Sequence, residues 1–173
     1  FRDAITLAPR FSGQAPARSI DIYGNDIFDV ADDGVEADYT FHNIRIFKNR
    51  MRNYLSAVST QPSVAGPTYI FRNEFFSMMA IETSPPSKTV SSPYKISESS
   101  GQCTTGLQIF HNSSVNIGSA MLNSGTVFPN SRVRNNLAYG TSGPVMQLYK
   151  PAACSIPADA MARTFDYNGM NTT

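Results

Sequence analysis

Residues 44–49 read Ile-Arg-Ile-Phe-Lys-Asn and residues 68–73 read Thr-Tyr-Ile-Phe-Arg-Asn, so that one pattern returns after 24 residues. Apolar and polar side chains alternate at its start, which is typical of a short half-buried β-strand, and an asparagine ends it. The asparagine recurs at positions 25, 49, 73, 112, 136 and, in a weak copy, 168. The spacings are 24, 24, 39, 24 and 32 residues, so the longer gaps indicate the same unit carrying insertions.

This period predicts a solenoid of β-strands. A repeat near 24 residues is too short for helical-pair repeats and propeller blades, and the leucine-rich signature is absent. Short alternating strands joined by turns predict coils of three strands each, with apolar side chains inside. Asparagine suits the turn because it tolerates the left-handed backbone region. Its amide can also bond the asparagine of the next coil, so we expect an asparagine ladder along the axis.

On these repeated segments the chain resembles the right-handed parallel β-helix superfamily, the pectate-lyase-like fold. The resemblance covers residues 19–168 and implies an all-β, single-stranded, right-handed parallel β-helix of about six coils. Residues 1–18 are expected to form an irregular N-terminal cover, residues 82–101 and 123–130 to loop out, and residues 169–173 to be a tail. The superfamily includes lyases, glycoside hydrolases, esterases, epimerases, tailspikes and non-catalytic scaffolds, so the fold alone implies no function.

The repeat also predicts which side chains stack on one another. The residues three before each asparagine should form one buried row: Ile22, Ile46, Ile70, Ile109 and Val133. Val35 should stack inward on Val58 of the next coil. The residues two before the asparagine should form an aromatic stack: Tyr23, Phe47, Phe71 and Phe110. We interpret this stack as part of the core rather than as a sugar-binding platform.

The composition excludes several classes of protein. The 173 residues are enough for one domain with a core, and 16% charged residues are too few for a coiled coil or a disordered tail. A net charge of +1 argues against nucleic acid as a partner, and no apolar run is long enough to span a membrane. Ser, Thr and Asn make up 46 residues, which favours a secreted or extracellular location, or the bacterial periplasm.

The densest group of carboxylates lies between Asp32 and Asp38. Glu36 and Asp38 are two residues apart and would share one face of a strand. Asp33, Glu36 and Asp38 are therefore candidate catalytic residues, acting as general acid and base. Asp32, Asp33 and Glu36 are candidate ligands for Ca²⁺, which prefers such hard oxygen atoms.

Polar side chains one coil later would extend this acidic group. Ser59 and Gln61 align with Glu36 and Asp38 and are candidate substrate-binding residues. Four carboxylates within seven residues would repel one another, so we expect a cation nearby. The alternative is a solvated acidic strand with a role only in solubility.

Basic residues precede the ladder asparagine on consecutive coils. Lys48, Arg72 and His111 occupy this position and would stack about 4.8 Å apart. Arg45 and Arg132 share a second position, four residues before the asparagine. Because arginine offers bidentate donors to carboxylates, this stripe suits a uronate or sulfated sugar chain. We take Arg45, Lys48 and Arg132 as candidate substrate-binding residues, and Arg72 and His111 as candidate bases. The alternative is a solvated wall of the solenoid.

These residues lead to a functional hypothesis: a secreted carbohydrate-active domain that binds or cleaves an acidic polysaccharide, as a lyase or hydrolase if it is active. In a lyase the carboxylates would neutralise the uronate, directly or through Ca²⁺. Arg72 or Lys48 would then abstract the C5 proton, with His111 as the alternative base. The competing hypothesis is a non-catalytic scaffold, a piece of an adhesin, tailspike or fibre. Such a scaffold would pack as a homo-oligomer or against the remainder of a longer chain.

The chain has two cysteines, Cys103 and Cys154. They fall in coils ending at Asn112 and Asn168, two coils apart. Regular stacking would hold them about 9.6 Å apart at least, beyond the Cα separation of about 7 Å that a disulfide tolerates. We therefore expect a disulfide only if the loops around Gly101 and Pro151 fold back.

Overall fold

The computed structural model describes residues 3–9, 13–76, 92–99, 101–115, 122–124, 129–141, 146–148 and 165–172. None of these residues belongs to a helix that is long and apolar enough to cross a membrane. They form short β-strands with the following bounds: β1 Ile5–Thr6, β2 Ile20–Tyr23, β3 Asp26–Phe28, β4 Asp33–Glu36, β5 Ile44–Phe47, β6 Arg50–Arg52, β7 Ser56–Thr60, β8 Thr68–Phe71, β9 Glu74–Phe76, β10 Tyr94–Ile96, β11 Leu107–Phe110, β12 Ser113–Val115, β13 Leu122–Ser124, β14 Arg132–Arg134, β15 Leu137–Thr141, β16 Met146–Leu148, β17 Phe165–Asp166 and β18 Gly169–Thr172.

The strands pair into three parallel sheets, and each coil of the chain adds one strand to each sheet. Sheet 1 has the order β1-β4-β7-β10-β13-β16, sheet 2 the order β2-β5-β8-β11-β14-β17, and sheet 3 the order β3-β6-β9-β12-β15-β18. Every strand thus pairs in parallel with the strand three places along the chain. This pairing makes the protein a parallel β-helix solenoid, which confirms the fold predicted from the repeat.

The inner face of sheet 2 carries the apolar row predicted from the repeat. Ile22 pairs with Ile46, and Ile46 with Ile70, in direct register. The row continues across the first insertion to Ile109 and Val133. All five side chains are buried. Val35 and Val58 pair in the same way in sheet 1 and are buried as well, so both rows are confirmed.

The predicted asparagine ladder is present at the turn between sheets 2 and 3. The side-chain amide of each of the first five members donates from its Nδ2 to the Oδ1 of the next coil over 2.9–3.1 Å. Each of these Oδ1 atoms also accepts from the backbone N–H of the preceding ladder residue. The ladder therefore supplies hydrogen-bond partners for buried backbone groups at the turn. Its members are Asn25, Asn49, Asn73, Asn112, Asn136 and Asn168.

The aromatic stack exists, but our interpretation that it fills the core is wrong. Ring centroids of successive members lie 5.0, 4.9 and 5.1 Å apart and the rings are nearly parallel. Tyr23 is 59% exposed, and the three phenylalanines are half-buried on the outer face of sheet 2. The reason is the alternation of a strand: each aromatic directly follows an inward isoleucine, so its side chain must point outward.

Several strands lie in segments that we predicted, from the repeat, to be the N-terminal cover, the two loops or the C-terminal tail. β1 falls within residues 1–18, β10 within 82–101, and β18 within 169–173, while β13 overlaps the segment 123–130. β10 shows why the repeat did not indicate them. Tyr94 and Ile96 are buried on either side of Lys95, which is a period-2 signal, but no ladder asparagine marks this strand.

Cys103 is bonded in a disulfide. The only other cysteine of the chain is Cys154, which lies outside the described residues. The coil spacing disfavours this outcome, but Cys103 lies in the connection before β11 and not on a strand. A connection is not held to the spacing of about 4.8 Å that separates stacked strands, and this explains how the bond can form.

Candidate functional site

The outer side of sheet 1 gathers the acidic residues that the sequence singled out. Parallel register places Thr6, Glu36, Ser59 and Lys95 side by side on four successive strands. We call the sheet-1 acidic site the group formed by Lys95 and the five carboxylates around it: Asp3, Asp32, Asp33, Glu36 and Asp38.

Asp33 and Lys95 form the central contact of this site. The Lys95 ammonium donates to Asp33 Oδ2 over 2.6 Å, and the Asp33 side chain is only 3% exposed. Burial raises the pKa of the Asp33 carboxyl to about 6, while the charge of Lys95 opposes this rise. Burial is the largest single effect on Lys95 and lowers its pKa, but the charge and hydrogen bond of Asp33 and the charges of Asp32 and Asp38 together outweigh it, so the net pKa is raised. Lys95 is thus the cation that the crowded carboxylates require.

Asp38 is held by two donors from the next coil. Its Oδ1 accepts from the Ser59 hydroxyl over 2.8 Å and from the Gln61 backbone N–H over 2.7 Å. Burial raises the pKa of Asp38 to about 6, although both hydrogen bonds favour the charged form. Ser59 and Gln61 therefore do lie beside the acidic segment, but their donor groups serve Asp38.

Glu36 does not lie in the group of carboxylates that could share a calcium ion. Its carboxylate accepts a short hydrogen bond from the Thr6 hydroxyl. Among the described residues, the acidic group with oxygens close enough to share an ion consists of Asp3, Asp32 and Asp33, whose atoms lie within 4.8 Å of one another. Glu36 is thus replaced by Asp3 in the set of Asp32, Asp33 and Glu36 expected from the sequence. The exchange follows from the register, since Ile5 pairs with Val35 and so sets Asp3 opposite Asp33.

The basic stripe lies at the corner between sheets 2 and 3. We call it the corner row, and its members share an exposed position with a left-handed backbone directly before each ladder asparagine: Gly24, Lys48, Arg72, His111, Asn135 and Tyr167. His111 contacts Asn135 of the next coil through its Nε2, 3.3 Å from the amide nitrogen. The predicted stacking of Lys48, Arg72 and His111 on consecutive coils is confirmed by this arrangement.

A groove of about 380 Å³ opens beside the corner row. Lys48, Arg72 and Arg50 supply its cations, and Asp26 and Glu74 its anions. The anions already have partners, because Arg50 lies 3.4 Å from Glu74 and Arg52 lies 3.5 Å from Asp26. Lys48 and Arg72 form no ion pair with any residue that the structure describes.

Arg45 and Arg132 lie on the outer face of sheet 2, away from the groove lining. Arg45 binds Asp21 of the previous coil through two hydrogen bonds of 2.5 and 2.8 Å. Arg132 is exposed on β14 and pairs in register with Gln108. Arg45 is therefore engaged with an acid of its own sheet, which weakens its case as a substrate-binding residue.

The candidate catalytic residues do not form one site. Asp33, Glu36 and Asp38 lie on sheet 1, whereas Arg72 and His111 lie at the corner between sheets 2 and 3, which is the corner opposite sheet 1 in a three-sided coil. A lyase centre that joins these carboxylates to Arg72 or His111 is therefore not assembled.

Sequence reasoning missed Lys95 and Asp3, the two groups that complete the sheet-1 acidic site. Lys95 lies on β10, in the segment assigned to a loop, and Asp3 directly precedes the short connection to β1, in the segment assigned to an N-terminal cover. Neither strand carries the ladder asparagine. The alternation of Tyr94, Lys95 and Ile96 was the signal that could have revealed β10.

The chain matches no family model, no curated protein and no solved structure.

Proposed function

We propose that this solenoid binds an acidic polysaccharide along the corner row. One observation carries the proposal: Lys48 and Arg72 are exposed neighbours on adjacent coils beside a groove, and neither has an ion-pair partner among the described residues. Two like charges held about 4.8 Å apart repel each other, so an anion that bridges them is favoured.

The form of the row favours a linear polymer over a small anion. The coils repeat every 4.8 Å or so, and a chain lying along the axis would meet Lys48, then Arg72, then His111. The Arg72 guanidinium suits a carboxylate or sulfate group because it offers two parallel donors. Asp26, Glu74 and the exposed amide of Asn25 offer polar partners to sugar hydroxyls within the same groove.

The disulfide of Cys103 supports an extracellular setting for this function. Disulfides persist in oxidising compartments and are rare where thiols are kept reduced. We infer that the protein works outside the cytosol, where acidic polysaccharides of cell walls and matrices are met.

Calorimetric titration with polygalacturonate and with heparin tests the proposal, with dextran as the uncharged probe. We expect binding of at least one polyanion, no binding of dextran, and an affinity that falls with added salt. The double variant Lys48→Asn and Arg72→Asn should lose at least tenfold in affinity. Asparagine is the matched choice because Asn135 occupies the same left-handed position in the row.

Arg45→Gln is the control for this titration, because it removes one positive charge from a residue that is already paired with Asp21. Its affinity should stay within twofold of the wild-type value. Equal binding by the double variant and the wild-type protein would overturn the corner-row proposal. Absence of binding to both polyanions would favour the scaffold function instead.

Cleavage of the polysaccharide is a second candidate function, favoured by the environment of Asp38. A carboxyl group with a pKa of about 6 is suited to give and take protons near neutral pH. The reaction would take place at the sheet-1 acidic site, where Lys95 and not Arg72 is the neighbouring cation. Incubation of polyuronates with and without Ca²⁺, followed at the absorbance of unsaturated products, tests for a lyase. Activity that survives Asp38→Asn unchanged would exclude this residue from the reaction.

A further inference from the structure

The connection before β1 and the connection before β4 bring three carboxylates together. Asp3 and Asp33 lie two residues before the paired Ile5 and Val35, and Asp32 is adjacent. One carboxylate oxygen from each residue lies within 4.8 Å of the others. The Asp33 backbone N–H also donates to Asp3 Oδ1 over 3.3 Å, which fixes Asp3 against β4.

One oxygen of this group lacks the partner that its burial requires. The Asp33 side chain is 3% exposed, and its Oδ2 is bound by Lys95, but no residue that the structure describes donates a hydrogen bond to its Oδ1. A buried carboxylate oxygen without a donor or cation is costly. Lys95 supplies one positive charge, whereas Asp3, Asp32 and Asp33 bring three negative charges before Glu36 and Asp38 are counted.

We propose that Asp3, Asp32 and Asp33 hold a divalent cation of the Ca²⁺ class, which fastens the first strand to the solenoid. All the ligands are carboxylates and none is histidine or cysteine, which favours a hard cation over zinc or copper. The three carboxylate oxygens lie within 4.8 Å of one another, which is close enough for one ion to contact all of them. Ca²⁺ accepts irregular arrangements of carboxylate oxygens, whereas Mg²⁺ demands a near-ideal octahedron and usually keeps several waters.

The proposed role follows from how weakly β1 is otherwise attached. It pairs with β4 through only two residues, Ile5 and Thr6, flanked by backbone bonds from Ala4 to Asp33 and from Leu7 to Glu36. An ion between Asp3 and the start of β4 would join the two connections directly. Because the ion binds the folded arrangement alone, it stabilises the fold by an amount that grows with the logarithm of the ion concentration above the dissociation constant.

Calorimetric titration of the chelator-treated full chain with CaCl₂ tests this site. We expect one ion per chain, with a dissociation constant below about 1 mM, the range of extracellular calcium modules. Ca²⁺ at saturating concentration should raise the Tm by about 3 °C or more, whereas equal MgCl₂ should have a smaller effect. Asp3→Asn should weaken Ca²⁺ binding at least tenfold and abolish the rise in Tm.

Three further variants make the result decisive. Asp32→Asn should weaken binding as Asp3→Asn does, and it replaces that variant if Asp3→Asn does not fold. Asp29→Asn removes an exposed carboxylate that is bound to Asn53, and it should bind Ca²⁺ like the wild-type protein. Glu36→Gln should also bind within twofold of wild type, since Glu36 is not one of the three ligands. No Ca²⁺ binding by the wild-type protein, or unchanged binding by both Asp3→Asn and Asp32→Asn, would overturn the proposal.

Discussion

The side-chain amide of Asn73 donates to the Oδ1 of Asn112 over 3.0 Å, although 39 residues separate the two in sequence. The same contact between Asn49 and Asn73 spans 24 residues. The ladder therefore keeps its spacing across an insertion, because the insertion leaves from another part of the coil. The contact between Asn73 and Asn112 joins the coil before the insertion to the coil after it.

We expect Asn73→Ala to lower the free energy of unfolding by about 2–4 kcal/mol, since buried groups lose their partners. The Asn73 side chain serves the Asn49 backbone N–H, the Ile46 carbonyl and the neighbouring ladder amides. Asn25→Ala is the matched control, because Asn25 is exposed and begins the ladder. It should cost less than about 1 kcal/mol. Urea unfolding measures both values, and equal losses would show that ladder position does not matter.

Stability should depend on pH through Asp38. Its pKa is raised by burial to about 6 from an ordinary value of 3.8, so its contribution to stability is complete below about pH 4 and is lost as the pH rises through 6. Between pH 4 and pH 7.5, wild-type protein should lose stability relative to Asp38→Asn, by on the order of 3 kcal/mol at most. The asparagine keeps an oxygen for Ser59 and Gln61. Urea unfolding at several pH values measures the difference, with Asp29→Asn as the charge control. A difference that stays constant over this range would contradict the buried, raised pKa.

Reduction should add two hydrogen masses to the intact protein, because Cys103 is disulfide-bonded and the chain has two cysteines. The free energy of unfolding should fall by about 2–4 kcal/mol, since a long loop is released in the unfolded chain. Cys103→Ser should show the same loss without reductant and no further change with it. Mass spectrometry and denaturant unfolding provide the two measurements. An unchanged mass on reduction would exclude the bond.

The repeated rows were predictable from local pattern alone. Ile46 and Ile70, or Asn49 and Asn73, occupy equal places in equal repeats, and strands of period two allow only one register that buries the isoleucines. The aromatic stack was predictable as a stack but not as a surface feature. Hydrophobicity placed Phe71 inside, whereas the alternation from Ile70 places it outside, and geometry prevails over side-chain preference.

Two residues of the sheet-1 acidic site could not be predicted from the repeat. Lys95 lies on β10 and Asp3 precedes β1, and neither strand carries the ladder asparagine. The repeat therefore assigned neither residue to a coil. Arg72 and His111 were placed correctly on the corner row, yet their distance from Asp33 depends on which sides of the coil the strands occupy. Spacing along the chain does not give that distance.

The sequence by itself determined the solenoid, the buried row and the ladder, because these follow from one strand pattern that repeats and stacks on itself. Only the tertiary structure decided that Asp33 meets Lys95, that Asp3 replaces Glu36 in the acidic group, and that Lys48 and Arg72 have no ion-pair partner in the described residues. The physical reason is that stacking depends on equivalent positions of neighbouring coils, whereas charge pairing depends on residues that differ from coil to coil and approach one another only after the chain has folded.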